Sequence, residues 1–429
     1  MNRRQPIIIA VFGLFFCAAS MANELTLEQA IQLAIDNDPW LQGNEYRQQA
    51  LEYRSVAAAQ LPDPQLSVGM VNLPTDTFAF DQEPMTQLKI GVSQQLPRGK
   101  TRELRRQQLE QHSEQTVFQR QDRKAVVRLT VTQLWLEWLR QRKTIELIEQ
   151  NRNLFADLAG IANANYASAL GKTQQYDIIQ AQVELTRLQD RLYRLSAAAE
   201  VQQARLDEWL PEPVHSLDTL DLPDITVNTA FPINADSVTA PSVLTGYFLK
   251  HPKLLQLDQR IAVSETATQL ARQQYKPQWG FNTSYAWRDD DPMGNERADF
   301  LSVGVTLDLP LFTNNRQDKE VGAAIAQAEA IKTEKAQLLR AFMAQANQAR
   351  AKLERLEQRQ QLYQTRLLKE IDEQVEASMT AYTNDNADFN QVVRARISGL
   401  NSRIDALSID IDRLQTIAQL NYLFTGARP

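Results

Sequence analysis

Side chains able to hold a metal or attack a bond are few and scattered in this chain. His112, His215 and His251 stand far apart, and none lies at ligand spacing from another histidine or a carboxylate pair. Cys17 is the only cysteine, and Met70, Met85, Met293, Met343 and Met379 do not cluster. No soft-ligand metal site is therefore written in the sequence. There is no G-x-S-x-G, no phosphate-cradling glycine loop and no H-E-x-x-H. Neither enzymatic chemistry nor a bound cofactor is expected. What remains is charge set on patterned segments. Lys89 and Asp308 sit inside alternating stretches, and Arg98, Lys100, Arg102, Arg105 and Arg106 follow one of them. Charges so placed manage ions and water. The arginine-rich run reads as a solvated helix face.

The segments that carry Lys89 and Asp308 occur twice. Pro64–Pro97 shifted by 213 positions lands without a gap on Pro277–Pro310, with Pro64, Gln65, Asp76, Glu83, Leu88, Gly91, Val92, Leu96 and Pro97 meeting identical residues. Each copy predicts two strands around a polar loop, Thr75–Pro84 in the first and Arg288–Asp299 in the second. Leu88–Ser93 and Leu301–Leu309 alternate apolar with small or polar residues, which places one kind on each face of a sheet. Two environments satisfy that pattern. One is a half-buried sheet in a soluble domain. The other is a membrane β-barrel with Ser, Gly, Thr, Asn, Lys89 and Asp308 toward a wet lumen. Strands of about 9–11 residues suit a bilayer, and Trp279, Tyr285 and Trp287 share a face near strand ends, where interfacial aromatics belong.

Residues 1–22 read as a secretory signal. Arg3 and Arg4 precede the apolar run Ile7–Ala19, and Ser20-Met21-Ala22 offers a cleavage site. Phe16 stands before Cys17 where an acylated cysteine wants a small neighbour, which argues against lipidation. Removing Arg3 and Arg4 leaves 44 basic against 52 acidic residues, a formal charge of −8, which argues against a nucleic-acid partner. No later stretch has 18 consecutive apolar residues, so no transmembrane helix is expected.

Thr26-Leu27-Glu28-Gln29 fits a capping box opening a first helix that Asp38-Pro39 ends. A second helix is expected from about Trp40 to Gln60, with a counterpart between His251-Pro252 and Pro277. All 17 prolines fall outside the spans 98–210 and 311–428. Long helices exclude proline, and both spans carry heptads: Ile178, Ala181, Leu185, Leu188 and Leu192 in one, Val393, Ile397, Leu400, Ile404 and Leu407 in the other. Each span predicts a long antiparallel helix pair, turning near Ala169-Leu170-Gly171 and near Asn384-Asp385-Asn386. The chain thus divides into a signal (1–22), a first repeat (23–210) with hairpin 64–97 and helix pair 98–210, a connector (211–245), and a second repeat (246–429) with hairpin 277–310 and helix pair 311–425. The fold class is mainly α with transmembrane β.

Four strands cannot close a barrel in lipid, where an open edge leaves backbone groups unsatisfied. Several chains must share one barrel. Two would supply eight strands and three would supply twelve.

The duplicated halves, the opening Leu25-Thr26-Leu27-Glu28-Gln29-Ala30, Asn37-Asp38-Pro39, and the run from Tyr166 through Gly171 to Asp177-Ile178-Ile179-Gln180-Ala181-Gln182 together resemble the TolC family of outer-membrane efflux proteins. Tyr382 and Val392-Val393-Arg394-Ala395 answer that run in the second half. The resemblance covers roughly residues 25–425. It implies a homotrimer whose 12-stranded β-barrel continues into a 12-helix periplasmic α-barrel. It also implies a Gram-negative outer-membrane location, a periplasmic adaptor that docks at the helix tips around Gly171 and Asn384, and an inner-membrane transporter of the RND type. Leu61-Pro62-Asp63-Pro64, Asn72-Leu73-Pro74 and Asp81–Met85 look most like the heavy-metal branch, the CusC- and CzcC-like channels, which implies metal cations as cargo. In the family the tips close as an iris lined by acids. Tyr382 matches the gate tyrosine, whereas Arg394 stands where many relatives carry an aspartate. Asp177, Asp385 and Asp388 are the remaining candidate acids at the constriction. Two rivals stay open, an autonomous pore and a periplasmic coiled-coil tether.

Overall fold

Hydrophobic periodicity and its punctuation account for the order of elements in a computed structural model, which describes residues 25–167, 175–211, 221–227, 241–384 and 389–426. α1 (Leu27–Asp36) opens on the expected capping box: Gln29 N–H donates to the Thr26 hydroxyl and the Gln29 side chain accepts from Thr26 N–H. α2 runs Pro39–Ala58, with Pro39 in the first turn, where a missing N–H costs nothing. Asp38 caps it by accepting from Trp40 N–H at 3.0 Å. β1 (Gln65–Val71) and β2 (Gln87–Leu96) form the first hairpin. The loop between them spans 72–86, wider than the expected Thr75–Pro84, because Asn72 takes a positive φ of 56° and ends the strand. α3 (Thr101–Ala167) follows, then α4 (Gln175–Asp207).

The second half repeats the order. α5 (Pro241–Phe248) leads to α6 (Pro252–Arg272), then β3 (Gln278–Trp287) and β4 (Phe300–Asp308), whose loop is the expected 288–299. α7 (Gln317–Leu362) passes through a π-helical turn, Tyr363–Leu367, into α8 (Leu368–Thr383). α9 (Phe389–Leu423) returns. The 46, 5 and 16 residues of α7, the π turn and α8 together match the 67 of α3. At 1.5 Å per residue each arm is about 100 Å long.

The strands form one antiparallel sheet in the order β1-β2-β3-β4, so the two hairpins join through β2 and β3. Elsewhere the helices bury successive clusters. Phe248, Leu254, Phe342, Leu420 and Phe424 form one, with Ile225 and Val227 of the connector against it. Val127, Val131, Trp135 and Trp138 of α3 receive Ile31 and Ala34 of α1 in another. Residues 221–227 therefore lie against the helices, and Thr226 O accepts from the Asn421 side chain at 2.9 Å. The signal segment, Gly171, Asp385, Asp388 and most of 211–245 lie outside the described residues.

Candidate pore and gate

Register fixes which side chains share a face of the sheet. Lys89 pairs with Gly69 and Ala286, Gly91 with Ser67 and Ser284, Ser93 with Gln65 and Asn282, and Asp308 with Gln278. One face is therefore polar or small almost throughout, and both Lys89 and Asp308 lie on it. All four sheet glycines, Gly69, Gly91, Gly280 and Gly304, fall there too. A Cβ on Gly91 would stand 2.9 Å from Ser67 Oγ and 3.3 Å from Ser284 Cβ, so a side chain at this position would crowd its neighbours on both adjoining strands, whereas the space beside Gly69 is open. Small residues suit a concave surface, where side chains converge.

The opposite face carries Leu66, Val68, Met70, Ile90, Val92, Trp279, Phe281, Tyr285, Leu301, Val303, Val305 and Leu307, with Gln94 and Thr283 the polar exceptions. These large side chains keep 39% to 77% of their surface uncovered. Removing each from water is worth about 1.5–3 kcal/mol, and none of the described residues covers them. Trp279, Tyr285 and Trp287 project on this face at the two ends of β3, as the spacing predicts.

Arginines fix the sheet at both of its ends. At one end Arg98 donates to Lys276 O at 2.8 Å and pairs with the Asp308 carboxylate, while Lys100 N–H donates to Gln273 Oε1 at 3.0 Å. The start of α3 is thereby tied to the junction of α6 and β3. Gly99 makes the turn with φ 45°, where a side chain would also collide with Lys276. At the other end Arg288 stacks 4.1 Å over the Phe300 ring and donates to Pro84 O at 3.1 Å. Arg297 donates to Glu83 O and Asp81 O at 3.3 and 3.2 Å, so the two hairpin loops are joined. Apart from the Arg288–Phe300 stack, these contacts link residues 173 to 216 apart in sequence, and no local signal announces them.

At the far ends of the long helices the two pairs pack together. Ile148 and Phe155 of α3, Ala181, Leu188 and Leu192 of α4, Tyr382 of α8, and Phe389, Val392, Val393 and Leu400 of α9 form one buried cluster. Tyr382 is 8% exposed, with its ring edge-on to Phe389 at 5.7 Å. Asp177 is 5% exposed and accepts from Asn390 Nδ2 at 3.5 Å, a link from α4 to α9. Asn384 is exposed at the end of α8, and Arg394 is exposed on α9 beside the buried Val392, Val393 and Ala395. The structure thus brings Tyr382 and Asp177 into the contact between pairs and leaves Arg394 facing outward from it. Asn390 is the participant that sequence reasoning missed. Its signal is faint, since it differs from a solvated turn residue only in lying one position past Phe389.

Among the described residues no group of three or more His, Cys, Asp or Glu could hold a metal, and no helix is long and apolar enough to cross a membrane. His251 is fully buried and caps α6: its Nδ1 accepts from Lys253 N–H at 3.1 Å and its Nε2 lies 3.1 Å from Tyr422 O. Burial pushes its pKa down to about 4, against a weaker upward pull from the Tyr422 carbonyl. It occupies the position that Asp38 holds in the first repeat, 213 residues earlier.

Solved structures share this architecture. The chain matches CusC, whose crystal structures concern transmembrane channel formation, with a TM-score of 0.73 over 92% of this chain and 91% of that one. The chain has the fold of an outer-membrane channel. OprN, another outer-membrane channel, matches at 0.75 over 93% and 90%, and VceC of Vibrio cholerae, an outer membrane protein, at 0.74 over 93% and 96%. Identity is 14% to CusC and OprN and 12% to VceC. No family model matches the sequence, and no curated protein does.

Proposed function

We propose that this chain is the exit duct of a tripartite efflux pump in a Gram-negative outer membrane. Three copies share one 12-stranded barrel, and their long helices continue it as a tunnel through the periplasm. The observation that carries this reading is the sheet: four strands, two open edges, one uncovered apolar face and one polar face bearing Lys89 and Asp308. Water cannot solvate the first face and lipid cannot satisfy the second, so the sheet belongs in a closed, water-filled barrel within a bilayer. The repeats at 23–210 and 246–429, joined by 211–245, then serve as equivalent staves of the tunnel. A periplasmic adaptor meets the helix tips near Gly171 and Asn384, and an RND-type transporter loads the tunnel from the inner membrane. The cargo assigned is heavy-metal cations, following the sequence resemblance to the CusC- and CzcC-like branch.

The gate is the contact between the helix pairs. Tyr382 on Phe389 and Asp177 with Asn390 hold the tips together, while Arg394, exposed on α9, sets the charge met by an ion at the entrance. Asp385 and Asp388 complete the proposed set. Planar-bilayer recordings of the purified protein test this reading. We expect small currents from the unaltered protein and larger ones from Tyr382→Ala, because emptying that buried site costs about 3 kcal/mol of tip packing. Currents equal in both would remove Tyr382 from the gate, and no current from either would remove the channel.

A further inference from the structure

Of the basic residues that follow β2, all but one have a partner in the folded chain. Arg98 binds the Asp308 carboxylate, Lys100 pairs with Glu103 at 3.8 Å, Arg102 donates to Ala59 O at 3.2 Å, and Arg106 pairs with Glu110 at 3.2 Å. The guanidinium of Arg105 makes no ion pair or hydrogen bond among the described residues. It lines a cavity of about 530 Å³ between α3, α6 and α7. Arg316, at the start of α7, lines the same cavity, and its guanidinium is equally unpaired.

Two guanidiniums on one cavity leave positive charge unspent, and the acids nearest them in sequence are mostly engaged elsewhere. Glu103 is held by Lys100, Glu110 by Arg106, and Asp318 by the Tyr275 hydroxyl. Glu320 remains; it lines the cavity and makes no ion pair. Gln317 lines it as well, is 8% exposed, and its Oε1 has no hydrogen-bond partner. A buried acceptor left unsatisfied costs free energy and asks for a donor. Much of the remaining wall is small and apolar, with Ala267, Ala271 and Ala324 supplying room rather than competing groups. Arg98, which binds Asp308 on the polar face of the sheet, also donates to Gln274 O at 3.4 Å. Gln274 lines the cavity too, so the cavity lies at the foot of that face.

We propose that this cavity is a binding site for a phosphate monoester that carries an amine, the phosphoethanolamine group. Arg105 and Arg316 hold the phosphate, whose oxygens match planar guanidinium donors. The ammonium meets Glu320 and the Gln317 Oε1. Such a ligand uses each unspent group, whereas bare phosphate would sit against Glu320 and a bare amine against two arginines. The volume falls within the range of small-molecule sites, about 300–1,000 Å³, and exceeds what a lone phosphate fills. The same group occurs dissolved and as a phospholipid headgroup, and the cavity reads the chemistry the two share. The assignment goes beyond the duct reading and does not depend on it.

Isothermal titration of the purified full chain in detergent tests the site, at low salt, where exposed charges are least screened. The probes are O-phosphoethanolamine, inorganic phosphate, ethanolamine, and a short-chain phosphatidylethanolamine in the same detergent. We expect phosphoethanolamine to bind at least tenfold more tightly than phosphate or ethanolamine. Arg105→Gln and Arg316→Gln should each weaken it at least tenfold, while Arg106→Gln leaves it unchanged. Glu320→Gln should erase the preference over phosphate without weakening phosphate itself. Circular dichroism checks that each variant is folded. Binding of the lipid but not of the soluble compound would support the site and name a headgroup as its source. Binding of neither, or binding that survives both arginine substitutions, would overturn it. Equal affinities for phosphate and phosphoethanolamine in the unaltered chain would overturn the part given to the amine.

Discussion

His251 shows how one residue's environment decides its chemistry. The unfolded ring titrates near 6.5 and the folded one near 4. The folded state thus prefers the neutral ring, so its stability is complete above about pH 6.5 and declines as pH falls toward 4. The loss reaches about 3 kcal/mol at 1.36 kcal/mol per pH unit. His251→Asn keeps a capping acceptor for Lys253 N–H, so it should flatten that decline in thermal melts across the window while losing about 1 kcal/mol with the Tyr422 contact. The sequence places His251 before Pro252 at a helix start, which is enough to read it as structural. Its cap follows from comparison with Asp38. Arg394 carries the second residue-scale prediction. An exposed guanidinium at the entrance of a narrow pore attracts anions, so Arg394→Glu should move the reversal potential under a salt gradient toward cation preference. An unchanged reversal potential would place Arg394 outside the constriction.

At the scale of elements, the hairpins are the part most legible in the sequence, because period-two alternation and an ungapped duplication both point to them. The long helices are legible from absent prolines and heptads. Less visible are the ties that orient these elements: Arg98 with Asp308, Arg288 and Arg297 on the first loop's carbonyls, and Arg123 bound to Asp38 at 2.6 Å while lying between the rings of Trp40 and Trp209. Each depends on tertiary proximity, which no local pattern encodes. The π turn at Tyr363–Leu367 is equally unannounced, since no proline or glycine marks it. The two faces of β4 give the prediction that belongs here. Val303→Lys places a charge on the apolar face at mid-strand and should cost about 2–4 kcal/mol of insertion. It should abolish assembly in urea-extracted outer membranes. Ser302→Lys, one residue away on the polar face, should assemble at near-normal yield. Equal yields would mean that the two faces do not meet different solvents.

Across the whole molecule, the repeat turns one chain into two similar staves, and on the proposed reading the open edges of β1 and β4 are completed by further copies. Closure within lipid requires further strands, and the chain has no others among its described residues. This is also why the sequence leaves eight or twelve strands open: edges demand partners without fixing their number, and the number enters through the resemblance alone. The most direct test is the mass of the particle released from outer membranes in mild detergent, measured by native mass spectrometry. Three chains per particle is the predicted result. A single chain, stable after the detergent is removed, would contradict it.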